Sequence, residues 1–437
     1  MELILPMCAL AAHANAQQPR TELFKVSSML LLPVKAFSGG VSRCQSALFN
    51  TIAWQTRADS SREATICDNL PRIPKEFKVG ANADFDKNNL DCLRLILASI
   101  VAMFHIYALT GLAAFSAFGR YLSPHFAVKA FFVISGLLIY RSYTRSSSIR
   151  SYLEKRVRRI YPAYFTVVVL AAFALGPLSM LPFSQYYGAG LWKYLGANLL
   201  FLNFLAPSLP GVFISNSMPA VNGALWTLKI EVAFYLFVPV IHYLSGRFGT
   251  KKVIGTIFFL SCVWKYGFAL LDTIYSTSGI YSLDPSRSLY SQLESQFPAQ
   301  LVYFTGGILL YLCFDSLMLH FGSICCVTAC LYLLDHWFTG GALDIFWISG
   351  IVFVVGFWRY FGNFSKYGDF SYGVYIVHFP ILQVLIAVGL TRLSPSIFLL
   401  VSLFCIGLGA LLMWHLVEKK FLARSSHYRQ VSLKTSA

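Results

Sequence analysis

Residues 90–112 read LDCLRLILASIVAMFHIYALTGL, and this stretch sets the class of the fold. Most of its side chains are apolar or small, and its charged residues, Asp91 and Arg94, lie close to its start. An α-helix rises about 1.5 Å per residue, so the stretch is long enough to cross the ~30 Å hydrocarbon core of a bilayer. It therefore predicts a transmembrane helix.

Comparable apolar runs follow almost to the end of the 437-residue chain. Each is roughly as long as one membrane crossing requires. The predicted spans lie near residues 90–112, 126–143, 160–182, 225–244, 253–271, 297–314, 317–334, 343–358, 370–390 and 396–417. We therefore predict an all-α, polytopic membrane helix bundle with about ten transmembrane helices.

The composition agrees with a protein surrounded by lipid. Hydrophobic residues make up 57% of the chain and charged residues only 12%, against about 25% charged in soluble domains. Lys and Arg number 35 against 19 Asp and Glu, but most basic residues stand in short connections, where they set orientation and meet anionic head groups. The lipid bilayer is therefore an expected partner, and nucleic acid is not.

The ten cysteines do not indicate a metal site or a disulfide framework. No two of them have the C-x-x-C spacing of a zinc or redox motif. Six lie inside apolar runs, where cysteine behaves as a small hydrophobic residue: Cys262, Cys313, Cys325, Cys326, Cys330 and Cys405.

The distribution of basic residues predicts the orientation. The connection after the second span carries seven Arg and Lys residues between Arg141 and Arg159, so we place it in the cytoplasm. A shorter apolar run, 191–206, is then re-entrant or interfacial, because only then do Lys251 and Lys252 also fall inside. The result is a multi-pass protein of the inner (cytoplasmic) membrane with both termini cytoplasmic.

Composition also divides the chain into three segments. Residues 1–85 contain no run long enough to span a membrane, and we predict a disordered or peripheral N-terminal extension there. Residues 86–421 form the predicted membrane domain, and residues 422–437 a cytoplasmic tail.

Ionisable side chains at membrane depth are costly, so each one suggests a functional site. Arg94 and His105 are eleven residues apart, about three helical turns or ~16 Å, and are expected on the same helix face. Counting along the fourth span places Glu231 at nearly the depth of His105. We predict that this carboxylate orients the imidazole as a general base, the alternative being that each residue only bonds a neighbouring helix.

Two further features have both a structural and a functional interpretation. His378 precedes Pro380, which bends its helix, so it is either a hydrogen-bonded histidine at a kink or a substrate contact nearer the donor side. Arg156 and Arg159 share a helix face and could bind phosphates, although such a basic block also acts as a topology anchor.

Six segments, taken together and in order, resemble acyltransferase family 3 of integral membrane acyltransferases. They are Leu90–Arg94 with Phe104-His105; Ala130–Gly136; Arg156, Arg159 and Pro162; Trp226–Leu228 with Glu231, Phe234 and Tyr235; Ser371-Tyr372 with His378 and Pro380; and Glu418 with Phe421. The resemblance covers about residues 90–421. The chain departs from the family pattern at Cys92, where glycine is usual, and at Ile230, where a second acidic residue is common.

The resemblance implies an O-acyltransferase that moves an acyl group, with acetyl expected, from cytoplasmic acetyl-CoA to a sugar hydroxyl. The expected acceptor is a cell-surface polysaccharide, such as lipopolysaccharide, or an exopolysaccharide, and no permanently bound cofactor is expected. Our hypothesis gives His105 the role of the base and Glu231 that of its orienting group, and assigns Arg94, Arg156 and Arg159 to the donor phosphates. The other expected substrate-binding residues are Ser135, Trp226, Tyr235, Tyr375 and His378.

Two other functions remain open on the sequence alone. Buried Arg, His and Glu residues also build proton relays, so a secondary transporter or flippase is the rival, although no internal repeat supports it. A catalytically inactive family member that serves as an assembly partner is the third possibility.

Overall fold

A computed structural model describes residues 83–277, 287–362, 364 and 368–422. The predicted N-terminal extension up to residue 82 and the tail from residue 423 lie outside the described residues. Within the described ranges the chain is helical and contains no strand, which confirms the predicted all-α class.

The longer helices form the bundle. In chain order they are α1 (Leu90–Thr110), α2 (Pro124–Thr144), α3 (Ile149–Ala174), α4 (Ala189–Leu199), α5 (Trp226–Phe248), α6 (Thr250–Thr277), α7 (Phe297–Leu312), α8 (Phe321–Leu334), α9 (Asp344–Phe357), α10 (Phe370–Ala387) and α11 (Pro395–Leu412).

Short helical pieces connect them. The α-helical ones are Ala83–Asp86, Ser116–Tyr121, Phe183–Tyr186, Arg287–Glu294, Phe314–Leu319 and Lys419–Phe421. The 3₁₀ turns are Ala113–Phe115, Gly176–Leu178, Asn203–Leu205, Gly223–Leu225 and Leu390–Arg392, and π-helical turns occupy Asp335–Thr339 and Met413–Glu418.

Every predicted span corresponds to one of these helices. In the part of the chain that the structure describes, eight helices are long and apolar enough to cross a membrane. The helices at the two remaining predicted spans are shorter: α7 has 16 residues and α9 has 14. Helix α4 falls on the run 191–206 and has only 11 residues, about 16 Å, which is too short for a crossing. The polytopic bundle is confirmed.

Helix α3 begins at Ile149, well before the predicted span near residue 160. Its start is capped by Ser148, whose side chain accepts a hydrogen bond from the Ser151 amide at 3.1 Å. The basic residues from Arg150 to Arg159, predicted to lie in a connection, are therefore helical. The helix fixes the direction in which Arg156 and Arg159 point.

Helices α2 and α7 pack with their backbones in contact. A Cβ atom on Gly136 would lie 2.0 Å from the Phe304 carbonyl oxygen, and one on Gly307 would lie 1.9 Å from that of Val133. Small residues permit such close approach between membrane helices. This contact explains the glycine that ends the Phe-Phe-Val-Ile-Ser-Gly segment.

A buried ionic cluster joins four helices through the Asp344 carboxylate at the start of α9. Lys129 of α2 lies 2.7 Å from it and Lys265 of α6 lies 2.8 Å from it, while the Tyr303 hydroxyl of α7 donates to it at 2.6 Å. Such intramembrane charges are tolerated when they pair with each other. None of these residues was singled out from the sequence.

Candidate active site

A small cavity lies where four helices meet. Its volume is about 50 Å³, enough for one or two water molecules. The lining side chains come from α1, α2, α5 and α10: Arg94, Val128, Phe131, Phe132, Ser135, Thr227, Leu228, Glu231, Ser371, Tyr372 and Tyr375. Segments far apart in the chain that were selected as motifs therefore meet in one place.

Two polar contacts hold the α5 side of the cavity. Tyr235, one turn after Glu231, donates its hydroxyl hydrogen bond to the Glu231 carboxylate at 2.6 Å. Thr227 and Tyr375 lie with their hydroxyl oxygens 2.6 Å apart, which ties α5 to α10. Tyr235 therefore reaches the cavity through Glu231, while Trp226 is not among the lining residues.

His105 lies against His378. The Nδ1 atom of His105 and the Nε2 atom of His378 are 3.0 Å apart, and the two ring centroids are separated by 5.1 Å. His378 is fully buried, and Tyr375, which lines the cavity, has its ring centroid 6.0 Å from that of His378. The imidazole pair thus adjoins the cavity through Tyr375.

The predicted pairing of His105 with Glu231 does not form. His105 is hydrogen-bonded to His378, and Glu231 accepts a hydrogen bond from Tyr235. Counting residues gives the depth of a side chain along a helix but not the direction in which it points. The two rings are in contact, and the location of His378 toward the donor side stays a prediction.

Arg94 and His105 lie on one face of α1, as their spacing predicts, and that face meets α10. Arg94 pairs with Asp369 at the start of α10, with 2.7 Å between Nη1 and Oδ2, and His105 meets His378 nine residues later. Nine residues correspond to about 13 Å of helix, close to the separation expected on α1.

Two of the three arginines assigned to phosphates are paired with carboxylates. Arg159 forms an ion pair with Asp369 and another, at 3.2 Å, with Glu418. The side chains of both acids are only 1% exposed, and Asp369 also accepts from the Ser371 amide at 3.2 Å and so caps α10. Sequence reasoning missed Asp369, and its position just before the Ser371-Tyr372 motif, a helix N-cap position, is the signal that could have found it.

Arg156 differs from these two. Its Nη2 donates to the Ser142 hydroxyl at 2.8 Å, and its guanidinium lies 5.7 Å from the ring centre of Tyr235. Its Nε atom is buried with no hydrogen-bond partner. Among the described residues no carboxylate forms an ion pair with Arg156, so its charge is available to an anion.

The arrangement can support acid–base chemistry close to a bound anion. Imidazoles are the side chains most often used for proton transfer, and guanidinium groups bind phosphates. In the described ranges, no three His, Cys, Asp or Glu side chains are grouped so that they could hold a metal ion.

The sequence of this chain is similar to a known protein family and to several known proteins. Residues 87–414 match the family described as "Acyltransferase domain". The chain is 29% identical over 357 residues to the "O-acetyl transferase" of Shigella phage Sf6, which covers 78% of this chain and 97% of that protein. It is 27% identical over 325 residues to "Nodulation protein 10" of Rhizobium leguminosarum bv. viciae, covering 69% of this chain and 85% of that one.

A shorter match connects the chain to a larger protein. It is 30% identical over 185 residues to "O-acetyltransferase OatA" of Staphylococcus aureus, covering 36% of this chain and 28% of that protein. No solved structure matches the chain significantly.

Proposed function

Because this chain belongs to the acyltransferase 3 family and is a membrane O-acyltransferase, we propose that it transfers an acetyl group from acetyl-CoA to a sugar hydroxyl. The proposed acceptor is a cell-surface polysaccharide or an exopolysaccharide. Relatives named as O-acetyltransferases support acetyl as the group that is moved.

One observation carries the proposal. A hydrogen-bonded imidazole pair, His105 and His378, adjoins a cavity that also presents a carboxylate, Glu231, and a guanidinium, Arg94. Acyl transfer to a hydroxyl needs a base at the nucleophile and positive charge at the donor, and these groups supply both.

In the proposed reaction His105 takes the proton from the acceptor hydroxyl, and the hydroxyl oxygen attacks the thioester carbonyl carbon. The new C–O bond forms as the C–S bond breaks, and the proton on His105 passes to the sulfur of the leaving CoA. A route in which His105 is first acetylated and then passes the group on has the same overall balance. Glu231, held by Tyr235, is placed to accept a hydrogen bond from substrate in the cavity.

The donor side is proposed at the end of the bundle where Arg94, Arg156 and Arg159 lie. Arg156 is the leading candidate for a CoA phosphate because it has no carboxylate partner among the described side chains. The basic residues at the end of α2 and in the first turns of α3 make this end cytoplasmic by the positive-inside rule. The protein then lies in the inner membrane with both chain termini in the cytoplasm.

Purified protein in liposomes, given acetyl-CoA labelled in the acetyl group, tests the function. We expect release of CoA that requires the protein, and label in an added polysaccharide acceptor. Proton movement into liposomes loaded with a pH dye, without any CoA release, would instead support the transporter.

Arg156→Ala tests the donor site. We expect KM for acetyl-CoA to rise by about 10-fold or more, because a charge-assisted hydrogen bond to phosphate is worth roughly 1.5–3 kcal/mol. KM for S-acetyl-pantetheine, which has no phosphate, should not change. Arg158→Ala is the matched control, since Arg158 is exposed in the same block and pairs with Glu154. An equal effect of Arg156→Ala on both donors would contradict the assignment.

A further inference from the structure

We propose that His378 is a positioning residue that holds the imidazole of His105 in one tautomer, so that Nε2 of His105 is the atom that takes the proton. This inference rests on the proposed function. It starts from a chain of two hydrogen bonds that runs from the α10 backbone through His378 to His105.

The hydrogen bond to the α10 backbone determines which ring nitrogen of His378 carries the proton. Its Nδ1 atom lies 3.1 Å from the carbonyl oxygen of Val374. A carbonyl oxygen can only accept a hydrogen bond, so Nδ1 must carry the proton. In a neutral imidazole the other nitrogen then has a lone pair, which makes Nε2 of His378 an acceptor.

The hydrogen bond to His378 determines in turn which nitrogen of His105 carries the proton. Its Nδ1 atom is 3.0 Å from the accepting Nε2 of His378, so Nδ1 of His105 must donate. The lone pair of His105 is therefore on Nε2, the nitrogen on the far side of the ring. A base needs this lone pair, so the contact presents the reactive atom away from His378.

His378 itself is not placed to bind substrate. Both of its ring nitrogens have partners inside the protein, and the residue is fully buried. Its role can therefore be exerted only through His105. A positioning role through His105 therefore replaces the alternative that His378 contacts the substrate directly.

The helix that carries His378 is held at its bend. Pro380 has no amide hydrogen, so it cannot donate to the carbonyl of Ile376, four residues earlier. The side-chain amide of Asn222 donates to that carbonyl at 2.9 Å instead. Because Asn222 stands just before α5, this bond fixes the bend of α10 relative to the helix that carries Glu231.

Two replacements of His378 test whether a hydrogen-bond acceptor is needed at this position. The Gln side chain can place its carbonyl oxygen near the position of Nε2, while Leu fills the space without an acceptor. An orienting partner that sets the tautomer of a catalytic histidine can be worth up to about 10⁴-fold in rate. We expect His378→Leu to lower kcat for acetyl transfer at least about 100-fold, and His378→Gln to keep kcat within about 10-fold of the wild type.

The kinetic pattern separates positioning from other roles. KM for acetyl-CoA should be the same in both variants and in the wild type. Each protein is measured only if it elutes as a single species in size-exclusion chromatography. Equal kcat in His378→Leu and His378→Gln would overturn the inference, and so would a rise in KM with unchanged kcat, which indicates substrate contact.

A second measurement observes the tautomer directly and does not depend on turnover. In ¹⁵N-histidine-labelled protein, the His105 signals are identified by their loss in His105→Gln. We expect protonated Nδ1 and unprotonated Nε2 in the wild type, and a mixture of tautomers in His378→Leu. A protonated Nε2 in the wild type would refute the inference. If the wild type releases no CoA, the proposed function fails; if release depends on His105 but not on His378, only this inference fails.

Discussion

Replacing His105 with alanine is expected to lower the rate of acetyl transfer by about 10²–10⁴-fold, the contribution typical of a positioned general base. The variant removes the ring whose Nδ1 contacts His378 and whose other nitrogen is left for the acceptor hydroxyl. Because Arg94, Arg156 and Arg159 bind the donor in the proposed scheme, KM for acetyl-CoA should change little. The initial rate of label transfer from acetyl-CoA in liposomes measures the effect.

His415→Ala is the matched control. His415 also lies in a helix that can span the membrane, but it is exposed on the surface of the bundle. Its replacement should leave the rate unchanged. A His105→Ala protein that keeps more than about a tenth of the wild-type rate would contradict the base role. Label that stays on wild-type protein after rapid quenching, and is absent from His105→Ala, would indicate an acetyl-histidine intermediate.

Replacing Asp369 with asparagine is expected to destabilise the protein by about 3–5 kcal/mol, because it removes the charge of a buried carboxylate that two largely buried cations share. The Asp369 carboxylate pairs with both Arg94 and Arg159, which are 19% and 12% exposed. An arginine cannot lose its proton to escape the penalty. The free energy of unfolding in mixed detergent micelles, followed by tryptophan fluorescence, measures the loss.

Asp344→Asn provides a close comparison elsewhere in the bundle. Asp344 is likewise buried at the start of a helix and pairs with two cations, but these are Lys129 and Lys265. A lysine can become neutral when buried, so we expect a smaller loss, about 1–3 kcal/mol. Only Asp369→Asn should also lower acetyl transfer, since Arg94 lines the cavity and neither lysine does. Equal destabilisation by the two variants would contradict the explanation by charge.

Part of the candidate site could be predicted without coordinates. The spacing of Arg94 and His105 places both on one face of α1, because helical periodicity alone relates residues of one helix, and the structure confirms that they share a face. Ser135, Glu231 and Tyr375 were selected by motif, and all three line the cavity. Their roles in catalysis and binding stay predictions.

The partners of these side chains could not be predicted. His105 was expected to meet Glu231 and instead meets His378, and the counter-ion of Arg94 is Asp369, which no motif had marked. A contact between two helices depends on how each is rotated about its axis and where they cross. Those quantities follow from packing over the whole interface, such as the glycine contact of α2 with α7.

The sequence by itself determined that this is an all-α membrane bundle, roughly where its apolar helices lie and to which enzyme family it belongs. Apolar length is a property of each segment alone, since a bilayer imposes the same thickness on every crossing helix. Only the tertiary structure decided that two imidazoles share a hydrogen bond and that two arginines share one carboxylate. These contacts join residues more than 200 positions apart in the chain, and no local rule relates such residues.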